Sequence, residues 1–227
     1  MPSARRHVLL ASSLALWASF SQAQSPSART DLVVKPPARV DAPPRRTRPG
    51  QSFAWQGQAL LSSLNRLSEL HNVCCWLDRR VDPNYRVEVA VSDATVLNAI
   101  EAIAEQQGLA TAIFEEVVYV GPASTARDLP TLGELARRSL AERPRRVRTA
   151  WLRRKAFSWP RLSEPRRLVE RIAAEAGAKL ANGEPIPHDL WETRQLPPMR
   201  AIDRMTLILS GFDLRCTISD DGSAVSV

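Results

Sequence analysis

The side chains most able to do chemistry are a histidine and two cysteines that lie close together in the first half of the chain. His71 precedes Cys74 and Cys75 at short spacing. Imidazole nitrogen and thiolate sulfur are ligands that zinc prefers, but a structural zinc site needs four of them. This stretch supplies three, and the later part of the sequence has no equivalent of it. We therefore expect no metal site and no cofactor.

Two later stretches carry imidazole or carboxylate groups. His188 and Asp189 are neighbours in a proline-bounded turn, where no serine or cysteine is placed for the histidine to activate. Asp220-Asp221-Gly222 has the composition of a hairpin turn, which explains it without a cation. The sequence also contains no glycine-rich phosphate loop and no paired carboxylates at motif spacing. It predicts a protein that is not an enzyme.

The most basic stretch of the chain follows its midpoint. It contains seven cations, which we name the basic patch: Arg143, Arg145, Arg146, Arg148, Arg153, Arg154 and Lys155. Arginine binds phosphate and carboxylate groups bidentately, so the basic patch could contact an anionic polymer or surface. The alternative is a solvated connector between two domains. The sequence leaves both interpretations open.

The composition of the whole chain agrees with a basic globular protein. The 227 residues carry a formal net charge of +7, and 44% of them are hydrophobic. The hydrophobic fraction predicts a packed core, and the charge indicates an anionic partner without indicating a fold. Nucleic acid would fit the charge, but the predicted strands show no pair of surface aromatic residues for base stacking. We predict no nucleic-acid partner.

The N-terminus has the features of an export signal. Arg5 and Arg6 precede an apolar run from Val8 to Phe20, and Ser21-Gln22-Ala23 fits a small-x-small cleavage site. This pattern predicts a signal peptide over residues 1–23 and a periplasmic or secreted protein. A retained signal anchor is the alternative. Residues 24–50 are rich in proline and arginine and lack apolar periodicity, which predicts an extended linker.

Export would place the three cysteines in an oxidising compartment, where an odd number leaves at least one unpaired. Cys74 and Cys75 are adjacent in a predicted strand, so their side chains should point to opposite faces. Cys216 lies on the apolar face of another predicted strand. We expect small buried residues, while the disulfide status stays open.

The elements that position these residues follow from an internal repeat. Phe53-Ala54-Trp55 opens the first copy and Phe157-Ser158-Trp159 opens the second. Each copy continues with a helical pattern, two strands, a second helix that ends at glycine, and a hairpin. The order β-α-β-β-α-β-β predicts an α+β fold of two tandem domains, each a sheet covered by two helices. These domains span residues 51–122 and 155–227, with a basic helical linker over 123–154.

Local patterns also predict where elements begin and end. Leucines at helical spacing predict a helix from Gln58 to Leu70, and Ser92 or Asp93 is expected to cap the next one. A linker helix is predicted from Thr131 to Glu142, and Ser163 should cap the first helix of the second copy. Alternation predicts a strand from Leu190 to Leu196, followed by a helix after the two prolines.

Several features of the first copy occur together in a known family. A leucine-rich helix leads to Asn72–Leu77 with Asp78, then to a Val-x-Val strand, a helix ending in Gly108-Leu109, and a hairpin closing with Val118-Tyr119-Val120. In these features the copy resembles the secretin and TonB N-terminus short domain family, and the second copy is similar but divergent. The resemblance implies a periplasmic domain that acts through protein contacts. No barrel, plug or pore domain follows in this sequence, so we expect a stand-alone interaction module.

The sequence therefore predicts a non-catalytic cell-envelope adaptor that binds a protein partner. An unpaired sheet edge is the contact we expect. The alternative is a protein that binds envelope polyanions, such as wall polymer or lipid headgroups, through the basic patch. That binding would weaken steeply with salt. Neither the identity of the partner nor the oligomeric state follows from the sequence.

Overall fold

The computed structural model describes residues 50–227. The first half of this range contains β1 Gln51–Ala59, α1 Leu60–His71, β2 Cys74–Leu77, β3 Arg86–Ala94, α2 Val96–Gln106, β4 Ala110–Phe114 and β5 Val117–Gly121. The second half contains α3 Ala123–Arg138, α4 Arg145–Leu152, β6 Arg154–Trp159, α5 Pro165–Glu175, β7 Lys179–Asn182, β8 Arg194–Arg200, α6 Ala201–Ser210, β9 Thr217–Ile218 and β10 Ala224–Ser226. The predicted α+β class is confirmed.

Strand pairing is the same in the two halves. In the first, β1 pairs antiparallel with β3, while β5 lies between a parallel β2 and an antiparallel β4. In the second, β6 pairs antiparallel with β8, while β10 lies between a parallel β7 and an antiparallel β9. Each half thus holds a two-stranded ribbon and a three-stranded sheet.

The prediction of one sheet per copy is wrong. Bulges interrupt the register between β1 and β3, and two residues there, Gly57 and Asp93, have positive φ angles of 76° and 52°. Bulges bend and twist a strand pair, which separates it from neighbouring strands. Side chains of α2, rather than a third strand, bond the outer edge of β3. Hydrophobic alternation predicts strands, but it carries no information about which strands pair.

Several predicted boundaries also shift. β1 extends to Ala59, so α1 begins at Leu60 rather than Gln58. β3 extends through Ala94, so the cap of α2 is Thr95 and not Ser92 or Asp93. Thr95 Oγ1 accepts from the backbone N–H of Asn98, whose side chain in turn accepts from that of Thr95. This is a capping box.

The second half departs further from its predicted boundaries. β8 runs from Arg194 to Arg200 and includes Pro197 and Pro198, whereas the sequence predicted a strand that ended before them. Among the described strands β8 pairs with β6 alone, and a strand with a free edge tolerates proline. Glu164, not Ser163, occupies the N-cap of α5, and its side chain makes no capping hydrogen bond.

The segment predicted as a linker, residues 123–154, is part of the core. α3 begins at Ala123 rather than Thr131, and α4 adds a second helix. Leu129, Leu140 and Trp151 are fully buried. α3 lies so close to β4 that a Cβ atom at Gly133 would overlap the ring of Phe114. The apolar face of this segment was hard to recognise in the sequence because many arginines are interspersed with its apolar residues. Arginines such as Arg145 and Arg146 lie on the exposed side of their helix.

Two hydrophobic cores organise the described residues. One belongs to the first half and includes Trp55, Leu64, Val87 and Ile100. The other is shared, because four residues of the first half join the apolar residues of the second: Trp76, Phe114, Val117 and Tyr119. All described residues belong to one compact unit.

Two predictions concern the N-terminus. The signal peptide over residues 1–23, and the linker over 24–50 apart from Gly50, lie outside the described residues, so both stay predictions. Within residues 50–227, no helix combines the length and the apolar character that a membrane crossing requires.

Candidate functional site

The β1–β3 ribbon presents two strand edges with which no other described strand pairs. Its inner face is anchored by Trp55 and Val87, which are buried in the first core against α1 and α2. Its outer face carries small exposed residues, and four of them line a shallow depression: Ser52, Ala54, Ala90 and Ser92. The inner face of the ribbon is therefore packed against the core, and its outer face is exposed among the described residues.

Side chains of Gln106, the last residue of α2, and of its C-cap Gln107 cover half of the outer edge of β3. Gln107 Nε2 donates to the carbonyl oxygen of Arg86 at 2.8 Å, and the N–H of Glu88 donates to Gln106 Oε1 at 3.0 Å. Peptide groups alternate in direction along a strand, so those of Ala90 and Ser92 face the same edge. No described side chain bonds either of them. Within residues 50–227, the distal part of this edge is therefore open.

The outer edge of β1 has the same division. The N–H of Gln56, near the proximal end, donates to Gln58 Oε1 at 2.6 Å. Ser52 and Ala54 continue this edge toward the N-terminus, and no side chain in residues 50–227 covers them. An unpaired row of N–H and C=O groups is a template for another strand.

The structure divides the predicted basic patch. Three of its members pair with carboxylates of other elements: Arg143 with Asp220, Arg154 with Glu115 and Glu116, and Lys155 with Glu175. Two bond backbone oxygens, Arg148 that of Ala141 and Arg153 that of Glu175. Arg145 and Arg146 make neither kind of contact with any described residue.

Helix α4 explains this division. Val147 and Trp151 face the core, which turns Arg145 and Arg146 outward. These two and Arg153 line a shallow depression with Thr149 and Ala150. We name Arg145, Arg146 and Arg153 the α4 arginines. Within residues 50–227 they are the members of the basic patch that line this depression, and none of them has a carboxylate partner there.

The histidine and acidic side chains singled out in the sequence do not form a common site among the described residues. His71 packs edge-on against Phe53, with ring centroids 5.7 Å apart, and Asp189 pairs with Arg79 at 2.8 Å. The backbone N–H of Ser223, with the hydroxyls of Ser219 and Ser223, donates to Asp221 and lowers the pKa of its carboxyl to about 2. Residues 50–227 contain no group of three His, Cys, Asp or Glu side chains that could hold a metal ion.

The cysteines are free thiols in the described structure. Cys75 is buried, and Cys74 and Cys216 are half-buried. Burial raises the pKa of Cys74 to about 11 and that of Cys216 to about 12, and it also raises the pKa of Cys75. Because the thiolate is the reactive form, these groups are poor nucleophiles and ligands at neutral pH.

A buried carboxylate that positions an arginine between the two halves was not predicted as a key residue. Asp78 accepts hydrogen bonds from Arg80 at 2.9 Å and from Tyr119 Oη at 2.6 Å. Arg80 also reaches Asp213 at 2.6 Å and Thr125 at 2.8 Å. Burial alone would raise the pKa of Asp78, but the hydrogen bonds from Arg80 and Tyr119 outweigh it and lower that pKa. The sequence showed Asp78 only as the residue after a strand.

Aromatic residues complete the same junction. The ring centroid of Trp76, in β2, lies 6.2 Å from that of Trp159 and 5.6 Å from that of Trp191. The guanidinium of Arg194 lies over Trp76 and donates to the carbonyl oxygen of Cys75 at 2.7 Å. These tryptophans pack the two halves together and hold the first half, with its ribbon, in place.

No family model, curated protein or solved structure matches this chain. The resemblance to the secretin and TonB N-terminus short domain therefore stays a prediction from the residues that carry it.

Proposed function

We propose that this protein is a non-catalytic adaptor of the cell envelope that binds an extended segment of a partner protein along the β1–β3 ribbon. The observation that carries the proposal is the open row of peptide groups at the distal end of both ribbon edges. Strand addition uses such groups for affinity and side-chain pockets for specificity. The envelope location rests on the predicted export signal and on the family resemblance.

The ribbon has two further properties that suit strand addition. Its inner face is anchored in a core, so binding would not require the ribbon to be ordered first. Its open ends carry Ser52, Ala54, Ala90 and Ser92, whose small side chains let another backbone approach closely. The proximal ends, by contrast, are covered by glutamine side chains, which limits where a partner can pair.

Proline at the open edges tests the proposal. In the double variant Ala54→Pro/Ala90→Pro, each proline removes an N–H that faces outward, so the hydrogen bonds between β1 and β3 remain. Protein from cells expressing the full-length chain is used as bait in envelope extract at low and at high salt. We expect the native protein to retain a discrete protein partner at both, and the double variant to lose it.

The matched control is Ala54→Ser/Ala90→Ser, which alters the same positions but keeps both N–H groups. It should retain the partner. Circular dichroism and urea unfolding establish that each variant is folded. Equal recovery of the partner by the proline and serine variants would contradict strand addition, and so would recovery of wall or lipid material alone.

A second candidate function is polyanion binding at the α4 arginines. The observation that favours it is that Arg145, Arg146 and Arg153 surround one depression without a carboxylate partner in residues 50–227. Arg143, Arg154 and Lys155, by contrast, are paired with carboxylates. A basic side chain near an anionic membrane surface contributes about 1 kcal/mol. Reversal of all three charges should therefore weaken binding by roughly a hundredfold or more.

Co-sedimentation with anionic vesicles and with purified wall polymer measures this. The test variant is Arg145→Glu/Arg146→Glu/Arg153→Glu. The control reverses three exposed arginines elsewhere, Arg127, Arg161 and Arg167, and so has the same net charge. Specific binding predicts that the test variant loses far more affinity than the control. Equal losses of affinity in the two variants would show that binding depends only on net charge and not on the α4 arginines.

A further inference from the structure

We propose that the partner strand pairs with β3 rather than β1, and that this strand is a basic, proline-free segment of another protein. The inference rests on the proposed adaptor function and adds to it the edge and the charge of the ligand. Three features support it: a helix lies beside the outer edge of β3, the two elements carry a net negative charge, and their acidic residues do not cluster at one point.

Helix α2 runs back along the outer edge of β3. Only Thr95 separates the end of β3 from the start of α2. At the other end of α2, Gln106 and the C-cap residue Gln107 reach Glu88 and Arg86 near the start of the strand. A strand added at Ala90 and Ser92 would therefore have β3 on one side and α2 near the other. Such a position offers main-chain hydrogen bonds and side-chain contacts together, the combination that specific strand addition requires.

The same two elements are acidic, in a chain with a formal charge of +7. From Arg86 to Gln106 the sequence contains four carboxylates, Glu88, Asp93, Glu101 and Glu105, and one cation, Arg86, which gives a net charge of −3. All four carboxylates are exposed, and none forms an ion pair with a described residue. Arg86 is turned toward β1, where it donates to Gly57.

The acidic residues are distributed over β3 and α2 and do not converge on one point. No three acidic, histidine or cysteine side chains in the described part of the chain are placed to share a metal ion. A ligand that neutralises them must therefore be extended, with positive charges at intervals. Opposite charges on neighbouring strands stabilise their pairing, whereas like charges destabilise it. A strand carrying lysine or arginine would form hydrogen bonds with the open edge and would also pair its cations with these carboxylates.

Two labelled peptides test the charge. One alternates lysine and valine, the other alternates glutamate and valine, and both are titrated against protein from cells expressing the full-length chain. Fluorescence anisotropy should show binding of the lysine peptide, with the glutamate peptide at least about tenfold weaker. The variant Glu101→Lys/Glu105→Lys should reduce or reverse this preference. Equal affinities, or no binding of the lysine peptide, would overturn the inference.

Single prolines test the edge. Ala90→Pro should weaken binding of the lysine peptide by about tenfold, the loss expected for one or two main-chain hydrogen bonds. Ala54→Pro, on the opposite edge and directly across the ribbon, should leave it unchanged. A lysine peptide with N-methylated valines makes the same test from the ligand side if Ala90→Pro disturbs the fold, and it should bind about tenfold more weakly.

The two proposals fail in different ways. If Ala54→Pro abolishes peptide binding, or if peptide charge has no effect, the assignment of β3 and a basic strand is wrong while the adaptor function stands. If the envelope partner binds the double-proline variant as well as it binds the serine control, the adaptor function itself is wrong.

Discussion

Replacement of Asp78 by alanine will destabilise the protein by about 3–5 kcal/mol, the range for breaking a buried ion pair by removal of one partner. The Asp78 side chain is fully buried and accepts hydrogen bonds from both Arg80 and Tyr119. Without it, the Tyr119 hydroxyl and part of the Arg80 guanidinium lose their partner at the junction of the two halves. Urea unfolding at neutral pH measures the loss.

The neighbouring arginine provides the control. Arg79 pairs with Asp189 at 2.8 Å, and this pair also joins the two halves, but its side chains are 33% and 28% exposed. Asp189→Ala should therefore cost only about 0–1 kcal/mol. Similar losses for the two variants would show that burial does not distinguish these pairs.

The same cluster predicts a dependence on pH. Hydrogen bonds lower the pKa of Asp78, so its stabilisation is complete above the ordinary carboxyl pKa of about 3.9 and is lost as pH falls through the lower folded value. Burial and Asp78 raise the pKa of Tyr119, so its contribution is complete below about 10 and is lost at higher pH. Asp78→Ala should flatten the acid limb of the stability profile.

Replacement of Trp151 by alanine has the second large expected effect, a loss of about 3–5 kcal/mol. Trp151 lies on α4, is fully buried, and belongs to the core that both halves share. Its removal would leave a large cavity that the packed elements around α4 cannot fill. Urea unfolding followed by circular dichroism measures the change.

The control for Trp151 lies on the same helix. Arg146 is exposed and makes no ion pair within residues 50–227, so Arg146→Ala should change stability by less than about 0.5 kcal/mol. Trp151→Phe should retain much of the stability because most of the apolar volume remains. A loss below about 1 kcal/mol for Trp151→Ala would mean that α4 is a connector after all.

The helices and strands that follow from the spacing of nearby apolar residues could be predicted from the sequence. The spacing of Leu60, Leu64 and Leu67 predicted α1, and the alternation of Val87, Val89 and Val91 predicted β3. The repeated opening motifs predicted the order of elements in both halves. These patterns are visible because the period of an element decides which of its side chains face the core.

The candidate surfaces could be predicted only in part. An open sheet edge was expected, but its position depends on Gln106 and Gln107, which bond residues 18 and 21 positions earlier in the chain. The basic patch was visible in the sequence, yet Arg154 is neutralised by Glu115, 39 positions away. No local pattern connects residues at such separations.

By itself the sequence predicted the α+β class and an internal repeat, and it determined the net positive charge. Tertiary structure decided that each half forms a ribbon and a separate sheet, that α3 and α4 belong to the core, and that Arg80, held by Asp78, joins the halves. Among residues 50–227, it also decided which cations lack a carboxylate partner and which strand edges have no neighbouring strand. The physical reason is that periodicity depends on neighbours three or four residues apart, whereas strand pairing, charge pairing and burial depend on contacts between distant segments.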